Sequence, residues 1–494
     1  MSGRDKPFRL EAGLFAGHGD RVALFGKTDS MTYRKLGERA RCVADALETL
    51  RIAAGEPVGL VSAGRALDEA VGLVGIALHG AVVVPLDASA PAARWGAIMR
   101  AGGVRVVVHD EPARALVEAA SAHAGRTIAR VCVDASGRIV DTARGETTST
   151  NAAIDPMLAC ILHTSGTTGG PKPVPITWDG LDAFTGFMND LVGLSEGDRV
   201  LRVAELVFDL AWFDHVATFR AGATLCVMSR RDLATGRSLR AAMTTLEPTV
   251  VYGVPSMFMK LSAACGAGEH LYPAPRAILF AGEVFPPREL ATFAAKVPSS
   301  RLWNLYGPTE TNVCTYYEVN RDKLDGEQET PIGVACPYAR CKLVVEGDRT
   351  RDVEGAGIGE LVVEGRTTVG GGPYATGDRV ELEADGYYYF RGRIDRMVKI
   401  RGYRVEPGEV EAALERHSAV RQAAVLAVDD PRMGKTLRAF VAVREDVDER
   451  ALRGFLAELL PAYMVPERVV CLDELPRTVT GKTDYGALRS VGAR

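Results

Sequence analysis

The sequence predicts an α/β protein with a large N-terminal domain of layered sheets and helices, followed by a small α+β domain. Three observations support this fold class. Helix and strand patterns alternate through the first half, the pattern changes near Asp385, and 494 residues are too many for a single hydrophobic core. A composition of 47% hydrophobic and 25% charged residues is ordinary for a globular protein.

The first half begins with an amphipathic helix. The stretch TYRKLGERARCVADALETL places Leu36, Ala40, Val43 and Leu47 on one helical face. EPVGLVS then predicts a strand, RALDEAVGLVGIALHG a helix, and AVVVPLD a second strand. Repeated strand and helix units of this kind indicate helices layered on largely parallel sheets.

The second half changes character near Asp385. DGYYYFRGRIDRMVKIRGYRVEPGEVEAALERH runs through a turn-rich, charged segment into a helix, and AAVLAVDD and LRAFVAVRE each predict a strand. We place a domain boundary at Asp395, which gives an N-terminal domain of residues 1–394 and a C-terminal domain of residues 395–494.

Composition argues against several classes of protein. No apolar run approaches the ~18 residues that span a bilayer, and the first residues, MSGRDKPFRLEAG, lack a signal-peptide core, so we expect a cytoplasmic protein without membrane contact. The net charge of −4 is spread along the chain and gives no basic surface for nucleic acid. The nine cysteines lack a CxxC pair and are expected to be reduced thiols: Cys42, Cys132, Cys160, Cys226, Cys265, Cys314, Cys336, Cys341 and Cys471.

A loop rich in hydroxyls and glycines, LHTSGTTGGPKPV, follows a predicted buried strand that begins at Met157. It is not a Walker A loop, because Pro171 precedes Lys172 where that motif requires glycine. Glycines expose backbone N–H groups, hydroxyls add donors and the lysine adds charge, which favours a phosphate site over a plain surface turn. The predicted phosphate-binding residues are Thr164, Ser165, Gly166, Thr167, Thr168, Gly169 and Lys172.

Four further motifs follow the loop along the chain. They are NLYGPTE (Asn304–Glu310), YATGDRV (Tyr374–Val380), FRGRIDRMVKIRGYRVEPGEVE (Phe390–Glu411) and TVTGKTDYGALR (Thr478–Arg489). With the loop, in this order and at these separations, they closely resemble the adenylate-forming superfamily of acyl-CoA ligases, firefly luciferase and nonribosomal peptide synthetase adenylation domains. The resemblance covers nearly the whole chain and implies ATP bound between a large N-terminal domain and a mobile C-terminal cap.

The resemblance also implies roles for single residues. The loop would clamp the β- and γ-phosphates, Tyr306 would stack on adenine, and Asp378 would accept hydrogen bonds from the ribose hydroxyls. Glu310 would help to hold Mg2+, a role that suits a hard carboxylate oxygen. The plain structural alternatives are a turn cap for Asp378, core packing for Tyr306 and a solvated charge for Glu310. The nucleotide set beyond the loop is Asn304, Tyr306, Thr309, Asp378 and Arg393, with Asp395 as the hinge.

The reaction that the resemblance implies has two halves. A substrate carboxylate attacks the α-phosphorus of ATP, pyrophosphate leaves, and an acyl-adenylate remains; catalysis of this step is mostly positioning and neutralisation of charge. Lys482, in TGKTD, matches the family lysine that enters from the cap and bridges carboxylate and phosphate. The cap then rotates about its hinge and opens a path for a thiol to attack the adenylate.

The substrate is indicated by a single acidic residue. In LVFDLAWFD, Asp209 matches the aspartate of the amino-acid-activating branch, where a buried carboxylate would pair with a substrate ammonium. Acyl-CoA ligases for plain fatty or aryl acids have no use for that charge. The structural alternative is that Asp209 caps the helix that follows it.

The other residues mapped to the pocket are mostly apolar, and such a wall rejects polar side chains. The large side chains among them leave space for a small substrate. Read as the family's specificity code, the set resembles that of proline-activating enzymes, although volume alone leaves pipecolate and valine open. The predicted substrate-binding residues are Asp209, Leu210, Phe213, Tyr252, Leu279, Ala281, Leu305, Val313 and Cys314, with Lys482 completing the code.

The expected activity is therefore conversion of L-proline and ATP to prolyl-AMP, then transfer to a phosphopantetheine thiol. The chain stops twelve residues after Lys482, so we expect a free-standing enzyme that loads a separate peptidyl carrier protein. By resemblance, such enzymes supply prolyl-carrier to a flavin dehydrogenase that makes pyrrole-2-carboxyl units. Two alternatives stay open: an acyl-CoA ligase for a small non-amino acid, and a nucleotide-binding scaffold without activity.

Overall fold

The computed structural model describes residues 7–63, 66–134, 138–143, 145, 154–166, 170–266, 268–430, 434–445, 447–477 and 483–491. Its helices are α1 (Ala12–His18), α2 (Tyr33–Thr49), α3 (Ala66–His79), α4 (Ala92–Ala101), α5 (Arg114–Ala124), α6 (Trp178–Val192), α7 (Leu210–Trp212), α8 (Thr218–Ala221), α9 (Arg230–Ala234), α10 (Gly236–Leu246), α11 (Pro255–Ala263), α12 (Pro287–Lys296), α13 (Pro407–Leu414), α14 (Glu449–Leu459) and α15 (Tyr485–Val491). Single 3-10 turns cover Glu111–Ala113, Arg321–Lys323, Val369–Gly371 and Ala462–Met464, and a π-helical turn, Phe213–Ala217, joins α7 to α8.

The strands are β1 (Val22–Phe25), β2 (Ser30–Thr32), β3 (Pro57–Val61), β4 (Val82–Pro85), β5 (Val106–Asp110), β6 (Ala129–Val133), β7 (Ile139–Ala143), β8 (Leu158–Thr164), β9 (Lys172–Thr177), β10 (Arg199–Arg202), β11 (Thr224–Val227), β12 (Val250–Gly253), β13 (Ala277–Phe280), β14 (Arg301–Tyr306), β15 (Thr315–Glu318), β16 (Val334–Ala335), β17 (Ala339–Val345), β18 (Asp348–Asp352), β19 (Gly357–Gly365), β20 (Tyr374–Leu382), β21 (Tyr388–Arg393), β22 (Val398–Ile400), β23 (Tyr403–Val405), β24 (Val420–Asp430), β25 (Gly434–Val443) and β26 (Arg468–Leu472).

Within the described residues the strands form five sheets. Two large sheets have the orders β16-β15-β14-β13-β12-β10-β11-β1-β2 and β7-β6-β5-β3-β4-β8-β9. Their central strands pair in parallel, and antiparallel pairs close the edges, as at β8–β9 and β14–β15. An antiparallel sheet, β18-β17-β19-β20-β21, follows, and β22-β23 and β24-β25-β26 form the last two sheets. The predicted α/β fold class is confirmed.

The first predicted helix is α2. Thr32 precedes it, and its hydroxyl accepts a hydrogen bond from the Lys35 N–H at 3.3 Å, which satisfies one of the unpaired donors of the first turn. Leu36 and Leu47 on its apolar face are fully buried, and the helix packs on α3. The predicted strand, helix and strand that follow are β3, α3 and β4, and β3 pairs in parallel with β4.

The C-terminal part has a separate hydrophobic core. Val405, Val410, Leu414, Val425 and Leu456 belong to one buried cluster formed by α13, α14 and the strands around them. Asp395 lies between β21 and β22, where the chain passes from the five-stranded sheet to this cluster. The boundary at Asp395 stays a prediction, and we call residues 395–494 the cap below.

We also searched the described helices for a candidate membrane span. None of them combines the length and the apolar character needed to cross a membrane.

Candidate active site

The predicted phosphate loop joins β8 to β9. Thr164, the last residue of β8, pairs with Lys172, the first residue of β9, so the loop is held at the base of a hairpin. The Thr164 hydroxyl is buried and has no hydrogen-bond partner among the described residues, which leaves it free to bind a ligand. Three other predicted loop residues, Thr167, Thr168 and Gly169, lie outside the described residues.

The described end of the loop contacts the cap. The Ser165 hydroxyl donates to the Arg404 carbonyl at 2.9 Å and accepts from the Glu406 N–H at 3.1 Å. The next backbone N–H, that of Gly166, donates to the Glu409 carboxylate at 3.2 Å. The loop predicted to hold phosphates therefore holds cap groups in this structure.

Glu310 lies just after β14 and is almost completely buried. Its carboxylate faces two cations, the Arg404 guanidinium at 2.8 Å and the Lys172 ammonium at 3.4 Å. Burial alone would raise the pKa of Glu310, but the charges of Arg404 and Lys172 and the hydrogen bonds to the carboxylate together outweigh burial and lower that pKa. Glu310 is thus a paired, ionised carboxylate rather than a solvated surface charge.

Asp378, on β20, is the centre of a hydrogen-bonded group. The Tyr306 hydroxyl donates to one of its oxygens, and the Arg393 guanidinium donates to the other at 2.8 Å. The same guanidinium donates to the Asp395 carboxylate at 2.8 Å through its Nε. Burial, with the nearby Asp378 charge second, raises the pKa of Tyr306, so this phenol stays protonated as a donor. The structure therefore brings the predicted base, ribose and hinge residues together.

Two other predicted nucleotide residues lie beside this group. The Asn304 side-chain amide donates to the Pro331 carbonyl at 2.7 Å, which fixes the end of β14 to the loop before β16. Thr309 precedes Glu310, and its side chain hydrogen-bonds the Asp209 carboxylate, which partly opposes the rise in the pKa of Asp209 that burial causes. Thr309 therefore connects the nucleotide motif to the predicted amino-acid pocket.

Asp209 occupies the position before α7, where a capping residue would be. Its backbone is already helical, and within the described residues its carboxylate makes no capping hydrogen bond. Burial raises the pKa of Asp209, opposed mainly by the charge of Lys399 from the cap. The π-helical turn that follows contains Phe213, and such turns are frequent at functional sites. The carboxylate hydrogen-bonds the Leu210 backbone and the Thr309 side chain, and neither contact is a helix cap, so the capping alternative for Asp209 is not supported.

The apolar pocket residues come from the carboxyl ends of neighbouring parallel strands. Tyr252 on β12 pairs with Leu279 on β13, and β14 beside them carries Leu305. Ligands of open α/β sheets bind outside such strand ends. Phe213 packs against Tyr252 edge to face, with ring centroids 5.6 Å apart. One buried cluster contains Phe213, Tyr252, Leu279, Ala281, Leu305 and Val313, and Leu210 packs against it.

Cys314 departs from this pattern. It is fully buried, but it packs in a different cluster with Leu343, Leu361 and Val363 beneath the five-stranded sheet. Burial raises the pKa of the Cys314 thiol well above its ordinary value, so the group is a neutral core thiol. The structure does not place Cys314 with the other residues predicted to line the pocket.

The hairpin of β22 and β23 brings residues to the site that the sequence analysis did not assign. Lys399 and Arg404 are cross-strand partners and so lie on one face of the hairpin. Arg404 reaches Glu310, and burial lowers the pKa of Lys399, partly opposed by the charges of Asp378 and Asp209. The sequence signal is the Arg401–Gly402 pair in VKIRGYRV, between two short strand-like runs. In the structure both residues have positive φ, 53° and 84°, and the two-residue turn that they form fixes this pairing.

Glu409 was also not assigned. It lies in the first turn of α13 and is buried against the N-terminal domain, where it forms an ion pair with Arg94 of α4 at 2.7 Å. No local pattern pointed to this contact, because its partners are 315 and 243 residues away in the sequence.

A small cleft of about 40 Å³ opens next to the segment that carries Asp209. None of its described lining residues belongs to the predicted site, although Leu206 and Val207 directly precede Phe208 and Asp209. Phe208 meets Tyr403 of the cap hairpin edge to face, with centroids 4.8 Å apart. The predicted catalytic lysine, Lys482, lies outside the described residues.

Comparison with known proteins agrees with these features. The L-proline--[L-prolyl-carrier protein] ligase of Pseudomonas fluorescens is 34% identical over 482 residues, which cover 94% of this chain and 95% of that protein. The ligase of the same name from Streptomyces coelicolor is 33% identical over 514 residues, 97% and 95% of the two chains. An amide bond synthetase from Marinactinospora thermotolerans shares the fold with a TM-score of 0.83 at 22% identity, over 98% of this chain and 100% of that one.

Family models cover both parts of the chain. A model described as AMP-binding enzyme matches residues 13–371, and one described as AMP-binding enzyme C-terminal domain matches residues 409–482. The first contains the phosphate loop, the pocket strands and Glu310, and the second contains Glu409 and ends at Lys482. The chain belongs to the AMP-binding, adenylate-forming enzymes.

Proposed function

We propose that this protein activates L-proline with ATP, forming prolyl-AMP and pyrophosphate, and then transfers the prolyl group to the phosphopantetheine thiol of a carrier protein. The observation that carries the proposal is Asp209, an acid without a capping contact that adjoins a buried apolar cluster and, through Thr309, the nucleotide motif. Two relatives of at least 33% identity over nearly the whole chain are named L-proline--[L-prolyl-carrier protein] ligase.

The proline would be held at both of its charged ends. Its ammonium would pair with Asp209, and its ring would contact the apolar cluster around Tyr252 and Leu279. That cluster offers no charged partner for a polar side chain, which favours a compact aliphatic amino acid. The carboxylate would then point toward the nucleotide and toward Lys482, the residue we propose as catalytic.

The first half-reaction forms one bond and breaks another. A proline carboxylate oxygen attacks the α-phosphorus, and the bond from that phosphorus to the bridging oxygen of pyrophosphate breaks. Carboxylate and triphosphate repel each other, so the loop donors, Lys172 and Lys482 would act by orienting them and balancing charge. Asp378 and Tyr306 would fix the ribose and the base, which leaves the reacting atoms in line.

Magnesium is implied by the triphosphate. The ion commonly takes one or two protein carboxylates and completes its shell with phosphates and water, and Glu310 supplies one such carboxylate. When bound, the ion would neutralise charge on the phosphates. In this cap position one Glu310 oxygen accepts from Arg404, so the cap hairpin would have to withdraw before that oxygen could bind the metal.

In the second half-reaction a thiol replaces AMP. The sulfur attacks the carbonyl carbon of prolyl-AMP, a C–S bond forms, and the bond from that carbon to the phosphate oxygen breaks. AMP leaves and the thiol proton passes to solvent. The cleft beside Val207 is our candidate route for the pantetheine arm, since it opens next to the segment that carries Asp209. Carrier-bound proline would be the substrate of a later oxidation to a pyrrole-2-carboxyl group.

The test is ATP–pyrophosphate exchange driven by each proteinogenic amino acid, by pipecolate and by small carboxylic acids without an amino group. We expect exchange with L-proline above all others, and its loss in Asp209→Ala and Lys482→Ala. Asp190→Asn, an exposed acid of α6, is the control and should exchange like the wild type. Exchange driven by acids without an amino group, and unaffected by Asp209→Ala, would instead identify an acyl-CoA ligase; absence of exchange with every acid would favour a scaffold.

A further inference from the structure

The contact between α4 and α13 is an ion pair across the two parts of the molecule. The Arg94 guanidinium donates to one Glu409 oxygen at 2.7 Å, and the side chains of Arg94 and Glu409 are 8% and 1% exposed. Burial of two charges costs more than their attraction returns unless the remaining polar atoms are also bonded. Here the second Glu409 oxygen accepts from the Gly166 N–H at 3.2 Å, so this cap carboxylate accepts from two groups of the N-terminal domain.

The position of Gly166 connects this contact to the proposed phosphate site. Gly166 belongs to the loop that we propose binds the β- and γ-phosphates, and its N–H points at the Glu409 carboxylate. A phosphate oxygen and a carboxylate oxygen cannot accept the same hydrogen bond, and two anions there would repel each other. This cap position and a phosphate bound at Gly166 therefore exclude one another.

We infer that Arg94 and Glu409 are positioning residues for the transfer step: Glu409 takes the anion position at Gly166 after pyrophosphate leaves, and Arg94 holds it there. The inference rests on the proposed function. Neither residue contacts the reacting atoms, so formation of the adenylate does not require the pair. Transfer requires it, because the pair holds β22 and β23 beside the site through the neighbouring contacts of Ser165.

The test separates the two half-reactions. Proline-dependent ATP–pyrophosphate exchange reports the first. For the second, prolyl-AMP is formed on the enzyme, pyrophosphate is removed with pyrophosphatase, and pantetheine is added as the thiol in a single turnover. We expect Glu409→Gln and Arg94→Met to exchange within about twofold of the wild type and to form prolyl-pantetheine on the order of tenfold more slowly or worse. Arg100→Met, an exposed arginine of α4, is the matched control.

Two further arms address coupling and the shared anion position. Arg94→Met alone leaves a buried, unpaired carboxylate, so the double variant Arg94→Met with Glu409→Gln should transfer faster than Arg94→Met. Methylenediphosphonate, which pyrophosphatase does not hydrolyse, should slow transfer in the wild type by occupying the loop, and the prolyl-AMP that remains on the enzyme is measured alongside to separate this from reversal of the first half-reaction.

The outcomes distinguish the two claims. Absence of proline-dependent exchange in the wild type would overturn the proposed function itself. Three results with an active wild type would overturn the inference about Arg94 and Glu409 and leave proline activation standing. They are equal losses of exchange and transfer in the variants, no loss of transfer in either single variant, and transfer that methylenediphosphonate does not slow.

Discussion

The two carboxylates at the ends of the proposed substrate complex are held in different ways. Both oxygens of Asp378 accept hydrogen bonds, from Tyr306 and Arg393, so its orientation is fixed before a ligand arrives. Asp209 makes no capping bond within the described residues, and burial raises its pKa. A fixed acceptor suits a neutral ribose hydroxyl, whereas a buried carboxylate whose pKa is raised by burial favours a cationic partner such as the substrate ammonium.

Asp378→Asn should weaken ATP binding. The substitution keeps the shape of the side chain but removes the charge that accepts from the ribose and from Arg393. Hydrogen bonds to charged groups are worth about 1.5–3 kcal/mol, so the KM for ATP in the exchange reaction should rise on the order of tenfold or more. The KM for proline should change little. Equal rises in both KM values would instead indicate a general collapse of the site.

Leu279→Ala should enlarge the amino-acid pocket. Leu279 is fully buried in the pocket cluster, and one methylene is worth about 1–3 kcal/mol in discrimination between substrates. The ratio of kcat/KM for pipecolate to that for proline should rise about tenfold. Cys314→Ala is the control, because Cys314 packs in another cluster and should leave the ratio unchanged. A shift in both variants would return Cys314 to the pocket wall.

Cys314 stays a predicted pocket residue, and its packing differs from that of its neighbour Val313. Val313 and Cys314 are consecutive at the entrance to β15, and successive side chains of extended backbone point to opposite sides. A motif comparison aligns both with pocket positions, but packing puts Val313 in the pocket cluster and Cys314 beneath another sheet. Lys399 and Arg404, by contrast, were accessible from the sequence through the Arg401–Gly402 turn between them.

At the scale of elements, one buried carboxylate ties together the amino ends of the pocket strands. Asp198, just before β10, accepts from Thr249 before β12 at 2.7 Å and from Arg276 before β13 at 2.8 Å. The Ser195 N–H also donates to it at 2.9 Å. The same strands carry Tyr252 and Leu279 toward their carboxyl ends. The hydrogen bonds of Asp198 at the amino ends therefore fix the strands that form the pocket at the opposite ends.

Asp198→Asn should destabilise the fold in a pH-dependent way. Burial would raise the pKa of Asp198, but the hydrogen bonds from Arg276, Thr249 and Ser195 together outweigh burial and lower the pKa to about 2. A carboxyl whose folded pKa is depressed from about 4 to about 2 contributes about 2 kcal/mol to the free energy of unfolding above pH 4, and this is lost as the pH falls toward 2.

Urea unfolding between pH 3 and pH 7 measures this effect. The difference between wild type and Asp198→Asn should be constant near neutrality and shrink below pH 4. Asp190→Asn should follow the wild type throughout, because that acid is exposed. A difference that persists undiminished at pH 3 would assign the loss to packing rather than to the charge.

Single helices and strands were easier to predict from the sequence than the way in which distant strands pair. The apolar period of α2 and the short apolar runs of β3 and β4 identify those elements because each signal lies within about twenty residues. The antiparallel five-stranded sheet and the pairing of β1 with β11 depend on partners far along the chain, and no local pattern encodes them.

At the scale of the whole molecule, the cap contacts the N-terminal domain around the cap hairpin and α13. Tyr403 stacks on Tyr463 with centroids 3.8 Å apart and meets Phe208 of the N-terminal domain. Gly402 lies so close that an added Cβ would be 2.9 Å from Val254, which leaves no room for a larger residue at this tip. The hairpin is therefore fitted closely to the segment that carries Asp209.

Asp395→Ala should affect turnover more than substrate binding. Asp395 accepts from Arg393 and from the Met397 N–H at 3.1 Å, and so fixes the chain where it enters the cap. Without it, full turnover with pantetheine should slow severalfold while the KM values for ATP and proline in exchange stay within about twofold. Asp385→Ala, an exposed acid earlier in the same region, should change neither quantity. Larger changes in KM than in turnover would place Asp395 in substrate binding instead.

The shared guanidinium of Arg393 makes nucleotide binding and cap position reciprocal. It donates to Asp378, the proposed ribose acceptor, and to Asp395, the proposed hinge. By thermodynamic linkage, any factor by which the cap position changes the affinity for adenosine must equal the factor by which adenosine shifts the cap. The change in adenosine affinity caused by cap movement and the change in the cap equilibrium caused by adenosine are then one coupling free energy, and a measurement of either change gives the other.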